Sequence, residues 1–450
     1  MATPSPDLGH ENQAETNSVA RQQRLKMGTI IIVDTSLKPA HRAFIAILVL
    51  AMPLCALWSA WQNFGATELR GYYWMILYAE IAMVAALVGL DVSHRGNRSR
   101  SFKSSNMALA IAFALSAGIS TLLAFYKPGL AWFHYGATLL HVGFGWLLLL
   151  EMRRSPNFAN CLLPGIAVGI AIFSVIVFFY VLALGDVSVE VSKFVGVGVS
   201  NVRHVGYYVV ALFGIAAGLF LVSNRESKQR RFWAAIICLS IFMSLWLGGR
   251  GAFLSMLGTL ILLTVLAERA EAKKLLILCG GAFLVSIPLA AITAPDSPFY
   301  GPSVLFGRLW QGSADVADLS PGRIELWTQA IRMIGEHPWF GLGENQFRFA
   351  LIGPDLYFNQ PHNILLQLLV QWGVIGTALL FIWIGNVVVA LRVEELRKRP
   401  QFLAATGALS CLLLQALIDG PFFMFYPLIA AITAFLYLIC AQDEDRSVQR

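Results

Sequence analysis

Charge is what this chain has least of. Asp, Glu, Lys and Arg make up only 13% of it, about half the share found in soluble globular domains. That shortage excludes an ordinary soluble architecture, which could not clothe its surface. Cysteine is also sparse. Cys55, Cys161, Cys238, Cys279, Cys411 and Cys440 are scattered through apolar segments. None stands at metal-ligand spacing, so they read as small buried hydrophobes. The first forty residues lack the early apolar core of a signal peptide. There is no ATP-binding motif, no acidic pair at metal-site spacing and no half-to-half repeat.

What is abundant is apolar sequence, 57% of the residues. The fold class this predicts is an all-α polytopic membrane protein of about twelve transmembrane helices. Spans are expected near 42–62, 72–90, 106–125, 130–150, 161–184, 206–222, 233–248, 251–266, 275–294, 362–391, 402–419 and 422–441. The organisation is then a cytoplasmic tail over 1–40 and helices one to nine over 41–294. A large, partly helical outward loop over 295–361, helices ten to twelve over 362–441 and a cytoplasmic tail over 442–450 follow. Gly165 and Gly169 in span five, and Gly214 and Gly218 in span six, have the four-residue spacing that lets helices approach closely. Span ten is long enough to tilt or project from the bilayer.

The net charge of +7 reports orientation rather than nucleic-acid binding. Basic residues cluster in alternate loops: Arg95 to Lys103, Arg153 and Arg154, Arg225 to Arg231, Arg269 to Lys274, and Arg392 to Arg399. All fall on the side of the N-terminal tail. The positive-inside rule puts that side, with both termini, in the cytoplasm. The loop 295–361 faces the other compartment, the periplasm in a Gram-negative host.

That loop, at about 65 residues, is too long for a plain connector. Ser320 is a suitable N-cap and Pro321 a suitable first helical residue. Ile324, Trp327, Ile331 and Ile334 recur at helical spacing until Gly335 and Pro338 stop the run. The expectation is a helix on the membrane surface, apolar stripe inward, with Arg323 in its first turn beside the stripe.

The outward cations are mostly arginines, whose planar forks match phosphate oxygens. Arg250 stands in the glycine turn Leu247-Gly-Gly-Arg250-Gly-Ala252, where backbone or ligand can come close. Arg203, with His204, precedes span six; Arg308 and Arg323 lie in the loop, Arg323 at a helix N-terminus that adds backbone donors. Arg332 and Arg348 are weaker candidates. His362, after Pro361, opens span ten, where the helix dipole disfavours imidazolium; a neutral imidazole there is a candidate general base. His337 reads as a helix-end residue. Asp419, in Leu417-Ile-Asp419-Gly-Pro421, could orient the histidine or an arginine, or simply start a turn.

His362-Asn363, then nine residues, Gly373, two residues and Gly376-Thr377 resembles the signature of the O-antigen ligase / O-antigen polymerase superfamily. Gly322-Arg323, Leu326-Trp327, Pro338, Gly341 and Gly343 resemble that family's run into its large periplasmic loop. Gly249-Arg250-Gly resembles its Ser-Arg-Gly element, with Gly249 where serine is common. These motifs span roughly 247–377, and the arrangement of spans extends the likeness over most of the chain. The resemblance implies a GT-C-like fold and a glycosyltransferase acting at the periplasmic face of the inner membrane. It implies transfer of O-antigen from undecaprenyl pyrophosphate to lipid A-core, without ATP or metal and with no cofactor. His362 and Arg250 would be catalytic. Arg203, Arg308 and Arg323 would bind donor pyrophosphate or acceptor phosphate, and Asn363, Asp419, Gly373 and Gly376 would support them.

Within the family the ligase is expected ahead of the polymerase. Polymerases often carry two sizeable outward loops, and 185–205 is modest. Protein-glycosylating relatives often carry a further periplasmic domain. A secondary transporter, or a flippase for the same carrier, is the reading from another class. Its long loop would fall between spans six and seven.

Overall fold

The computed structural model describes residues 37–61, 70–93, 104–184, 202–223, 227–296, 300–310, 322–353, 358–389 and 400–448. Among these there is no strand. In chain order the helices are α1 (Pro39–Trp61), α2 (Arg70–Ser93), α3 (Ser104–Leu122), α4 (Pro128–Arg154), α5 (Pro156–Leu184), α6 (Val202–Val222) and α7 (Lys228–Trp246). They continue with α8 (Arg250–Leu266), α9 (Arg269–Thr293), α10 (Pro302–Trp310), α11 (Arg323–Glu336), α12 (Ile364–Val389), α13 (Pro400–Ala416) and α14 (Phe425–Val448). Proline opens α1, α4, α5, α10 and α13, where its missing N–H leaves no bond unmade.

A helix lies at each of the twelve expected apolar stretches. Six are long and apolar enough to cross a membrane: Pro39–Leu57, Pro128–Arg154, Pro156–Ala183, His204–Val222, Arg269–Thr293 and Ile364–Val389. Shorter apolar helices, Met107–Leu122, Arg250–Leu266, Gln401–Ala416 and Tyr426–Cys440, stand at four of the others. The last helix runs on to Val448, so most of the expected tail 442–450 is helical. The tail through residue 36, and the loops bearing Arg95 to Lys103 and Arg392 to Arg399, lie outside the described residues.

The centre of the bundle is α6, whose apolar span is 94% buried. It packs most extensively on α13, and also against α5, α7 and α8. Glycine is the reason these axes come so close. A Cβ on Gly214 would collide with the backbone of Gly407, and one on Gly218 with that of Ala404. The second small pair works likewise: a Cβ on Gly169 would lie 2.6 Å from the carbonyl oxygen of Val49 on α1. Both glycine pairs read from the sequence are therefore helix-crossing points.

One end of the bundle is held by charged side-chain contacts between helices. His41 at the start of α1 meets Glu151 at 2.7 Å, and Arg154 meets Asp91 at the end of α2 at 2.6 Å. Arg230 at the start of α7 meets Glu271 at the start of α9, also at 2.6 Å. These contacts bring together the helix ends that the charge alternation assigned to one side.

The loop 295–361 differs from expectation in two ways. It holds a helix the periodicity did not reveal, α10, whose entry is fixed by Gly301 N–H donating to the Trp246 carbonyl (2.8 Å). The N-cap of α11 is Gly322, in the left-handed region at φ 76°. Ser320 and Pro321 lie outside the described residues. The buried face of α11 is Leu326, Ala330 and Met333, packed on Leu342, Phe347, Ala350 and Val370. Ile324 and Ile331, from the stripe expected to face the membrane, are exposed. The helix is docked on protein through one face and leaves a second apolar face open.

The expected long span ten is also broken. Gly373, at φ 61° and ψ −168°, interrupts α12 between Trp372 and Val374. The freed backbone groups are taken up by Pro338–Gly343. Leu342 N–H donates to the Val370 carbonyl (2.7 Å) and Gly343 N–H to that of Gln371 (3.1 Å). Val374 N–H donates to the Pro338 carbonyl (2.8 Å) and Ile375 N–H to that of Trp339 (3.1 Å). Two backbones cross in contact here: a Cβ on Gly341 would lie 2.5 Å from the Val370 carbonyl, and one on Gly373 would collide with Trp339.

Gly214→Val forces a branched side chain into the Gly407 backbone. Overpacking of this kind costs about 1–3 kcal/mol or more. The thermal midpoint in detergent is expected to fall by several degrees, whereas Gly280→Ala, with open space around it, leaves it unchanged or slightly raised.

Candidate active site

The site is built where the starts of α11 and α12 meet the end of α13 and the first turns of α6. Pro361 and His362 enter α12, and His362 adopts the left-handed conformation at φ 53°, uncommon outside glycine. Its neighbours hold it there. Trp327 on α11 donates its indole N–H to the Pro361 carbonyl at 2.9 Å. Asn363 caps α12, its side-chain oxygen accepting from the N–H groups of Leu365 (3.0 Å) and Leu366 (3.2 Å). Its amide group donates to the Leu417 carbonyl at 2.9 Å, tying this cap to the end of α13.

Asp419 stands two residues beyond Leu417 and is buried. Its Oδ1 meets Nδ1 of His362 at 2.7 Å and accepts from the Tyr207 hydroxyl at 2.5 Å and the Gly420 N–H at 3.0 Å. The Arg323 guanidinium lies 3.7 Å from Oδ2. Burial by itself would raise this carboxyl. The hydrogen bond and charge of His362, then the Tyr207 hydroxyl and Arg323, outweigh burial and hold it at about 2. Asp419 is therefore an anion at neutral pH, and an anion can only accept. In the neutral imidazole Nδ1 must then carry the proton, which leaves the Nε2 lone pair as the free base. The His362 side chain keeps 19% of its exposure, and Phe358 meets its ring edge to face at 5.8 Å.

Of the arginines singled out, Arg323 joins this pair directly. Arg250 is the first residue of α8, half-buried, after a turn through Gly248 at φ 64°. Its neighbour Gly251 has no room for a side chain: a Cβ there would lie 2.9 Å from the Gln415 amide and 3.1 Å from Ile418. The turn bearing Arg250 is thus seated on the segment that ends at Asp419. Arg203 is in the first turn of α6 and Arg308 is in α10; their side chains lie outside the described residues. Arg332 is engaged by Glu336 (2.9 Å) and the Ala350 carbonyl (2.8 Å), and Arg348 lies over Phe349 (4.4 Å) with a bond to Asn359 (3.2 Å). His337 caps the end of α11. Gly373 forms the break and Gly376 lies in the turn after it, where a Cβ would come within 2.7 Å of the Trp372 side chain.

Three participants escaped the sequence reading. Tyr207 sits one turn after Arg203 and looks like any apolar-helix aromatic. Gln360 lies so close to Gly420 that a Cβ there would overlap its amide. Glu344 follows Gly343 in the segment that plugs the α12 break. It accepts from Thr138 (2.9 Å), from Trp372 (2.9 Å) and from Gln371. His134 on α4 meets Asn345 beside it at 2.8 Å. Burial pushes Glu344 up to about 7, against the opposing Trp372 and Thr138 hydrogen bonds, the His141 charge and the Gln371 bond.

These features define a class: an all-α membrane protein with a histidine–aspartate pair and arginines gathered at one end of the bundle. Residues 193–381 match the family model described as O-antigen ligase. The chain is also 31% identical over 134 residues to an O-antigen ligase of Pseudomonas aeruginosa, an alignment covering 28% of this chain and 33% of that protein. The chain therefore spans about a third of the length of the curated relative it matches. Residues 193–381 are thus similar to the O-antigen ligase family. The matched stretch contains Arg203, Tyr207, Arg250, Arg308, Arg323, His362, Gly373 and Gly376; Asp419 lies beyond it.

Glu344 gives the fold a pH dependence of definite sign. Its folded carboxyl lies above the ordinary 4.5, so the folded state holds the proton more tightly. That contribution to stability is complete below about pH 4.5 and is lost as pH rises through about 7. The thermal midpoint of the wild type is expected to decline between those values, and Glu344→Gln to flatten that decline. Asp419, held at about 2, contributes above its ordinary range and loses that contribution only as pH falls through about 2.

Proposed function

We propose that this protein is an O-antigen ligase. It transfers O-antigen polysaccharide from undecaprenyl pyrophosphate to a sugar hydroxyl of lipid A-core, at the periplasmic face of a Gram-negative inner membrane. Helices at all twelve expected positions, ten of them apolar spans or shorter apolar helices, support twelve crossings, and the alternation of basic loops supports both termini in the cytoplasm. The observation that carries the reading is the His362–Asp419 contact at 2.7 Å, formed with Arg323 alongside, in a chain whose residues 193–381 match the O-antigen ligase family model.

In this reading Nε2 of His362 takes the proton of the acceptor hydroxyl as its oxygen attacks the anomeric carbon. The bond from that carbon to the pyrophosphate oxygen breaks, and undecaprenyl pyrophosphate leaves. One direct displacement inverts the anomeric centre. Asp419 stabilises the imidazolium as it forms. The leaving group is anionic, so Arg250 and Arg323, joined by Arg203 and Arg308, stabilise the charge that develops there. The donor is already activated, so the reaction proceeds without ATP or a divalent metal. The exposed apolar face of α11, with Ile324 and Ile331, borders the path of the lipid tails.

Purified protein given undecaprenyl-pyrophosphate glycan and lipid A-core, with chelator and without nucleotide, is expected to yield glycosylated lipid A-core. His362→Ala should lower the rate by the roughly 10²–10⁴-fold typical of a lost general base, and Arg250→Ala should also abolish most transfer. Longer glycan on the carrier, with lipid A-core untouched, would replace this reading by a polymerase. Full activity in His362→Ala would end the general-base role.

A further inference from the structure

Three donors converge on one oxygen of Asp419, and one of them is the hydroxyl of a tyrosine on the most buried helix of the bundle. Tyr207 is buried, and its hydroxyl donates to Oδ1 at 2.5 Å, the same atom that faces His362 Nδ1 at 2.7 Å. Its ring is fixed from below by His204, stacked at 5.2 Å. The phenol cannot turn away without leaving a buried hydroxyl and a buried carboxylate each short of a partner. We propose that Tyr207 is a positioning residue for the transfer reaction, one that sets how strongly Asp419 draws a proton onto His362.

The reasoning is a competition for one acceptor. The imidazolium form of His362 is stabilised by the charge on Oδ1. A hydroxyl donating to that oxygen takes up part of the charge and weakens the pull. It also fixes the direction in which the remaining lone pair faces Nδ1, so the ring stands with Nε2 away from the aspartate. The other groups around the pair are accounted for. Arg323 on α11 faces Oδ2 rather than Oδ1. The end of α13 offers the uncharged Gln415 and the Gly420 N–H. His204 on α6 is in contact with the Tyr207 ring. Arg250 is on the turn seated against Gln415 and Ile418. Tyr207 is the group on the buried side that both touches Oδ1 and can be replaced without changing charge.

This inference rests on the reading of His362 as the base, so its test includes a measurement that needs no glycan. Diethyl pyrocarbonate modifies only unprotonated imidazole. The extent of modification at His362, read by peptide mass spectrometry between about pH 5 and 8, gives a midpoint for its protonation. Tyr207→Phe keeps the ring and removes the hydroxyl. The midpoint is expected to rise by about one pH unit, a roughly tenfold gain in proton affinity. Tyr207→Leu, which also lacks the hydroxyl, should move it the same way, so the test does not depend on one variant folding. In the transfer assay the acid limb of kcat/KM should move with it. A role in packing alone would lower activity equally at every pH and leave the midpoint in place. A raised midpoint supports the proposal even where no glycan is transferred, an outcome that would count against the ligase reading alone. A midpoint unmoved or lowered in both variants overturns it.

Discussion

The backbone crossing at Gly373 is the constraint on which the half of this protein that holds His362 and Asp419 depends. A helix interrupted among apolar helices frees amide and carbonyl groups that cannot reach water, and irregular backbone there is tolerated only when protein satisfies it. Pro338–Gly343 does so with four hydrogen bonds to the two sides of the break. Contact that close requires glycine, and both partners supply one: Gly341 faces the break, and Gly373 faces Trp339. The first half of α12 is thereby locked to the end of α11, and His362 stands two residues before its start.

The second constraint is electrostatic. A buried carboxylate without partners would be costly and would protonate. Asp419 is kept ionised by donors from four parts of the chain: Tyr207 on α6, His362 before α12, the adjacent Gly420 amide and Arg323 on α11. The same contacts orient the histidine, which connects the stability of the turn to the chemistry proposed for it. At the opposite end of the bundle, carboxylates are paired with His41, Arg154 and Arg230, a separate polar layer that ties helix ends together. Between the two layers, α6 and α13 meet through glycine and alanine backbone, so their relative placement, and with it the distance from Tyr207 to Asp419, follows from small residues rather than from polar contacts.

Much of this was legible in the residues themselves. The apolar stretches, the glycine spacings of α5 and α6, the grouping of basic loops and the run from Gly322 to Gly376 are local patterns, and local patterns survive in one dimension. His362, Arg250 and Arg323 were visible because they are polar residues in an apolar chain. Asp419 could be noticed but not assigned, since Asp-Gly-Pro is also an ordinary turn. Two apolar stripes share α11: periodicity picked out the one with the exposed Ile324 and Ile331, and only the tertiary structure shows that Leu326, Ala330 and Met333 meet protein. The cap at Ser320 was expected from side-chain chemistry, whereas the helix begins after Gly322 in a left-handed conformation.

The sequence by itself determined that this is a helical membrane protein with a long glycine-bearing segment between two apolar helices, because composition and period report directly on the transfer of side chains out of water. Only the tertiary structure decided that His362 pairs with Asp419, 57 residues further on, that Tyr207 shares the same oxygen, and that the long helix breaks at Gly373 to receive another strand of backbone. Those outcomes depend on distances between segments far apart in the chain. Such distances are set by how closely glycine lets helices approach and by where buried charge can find partners.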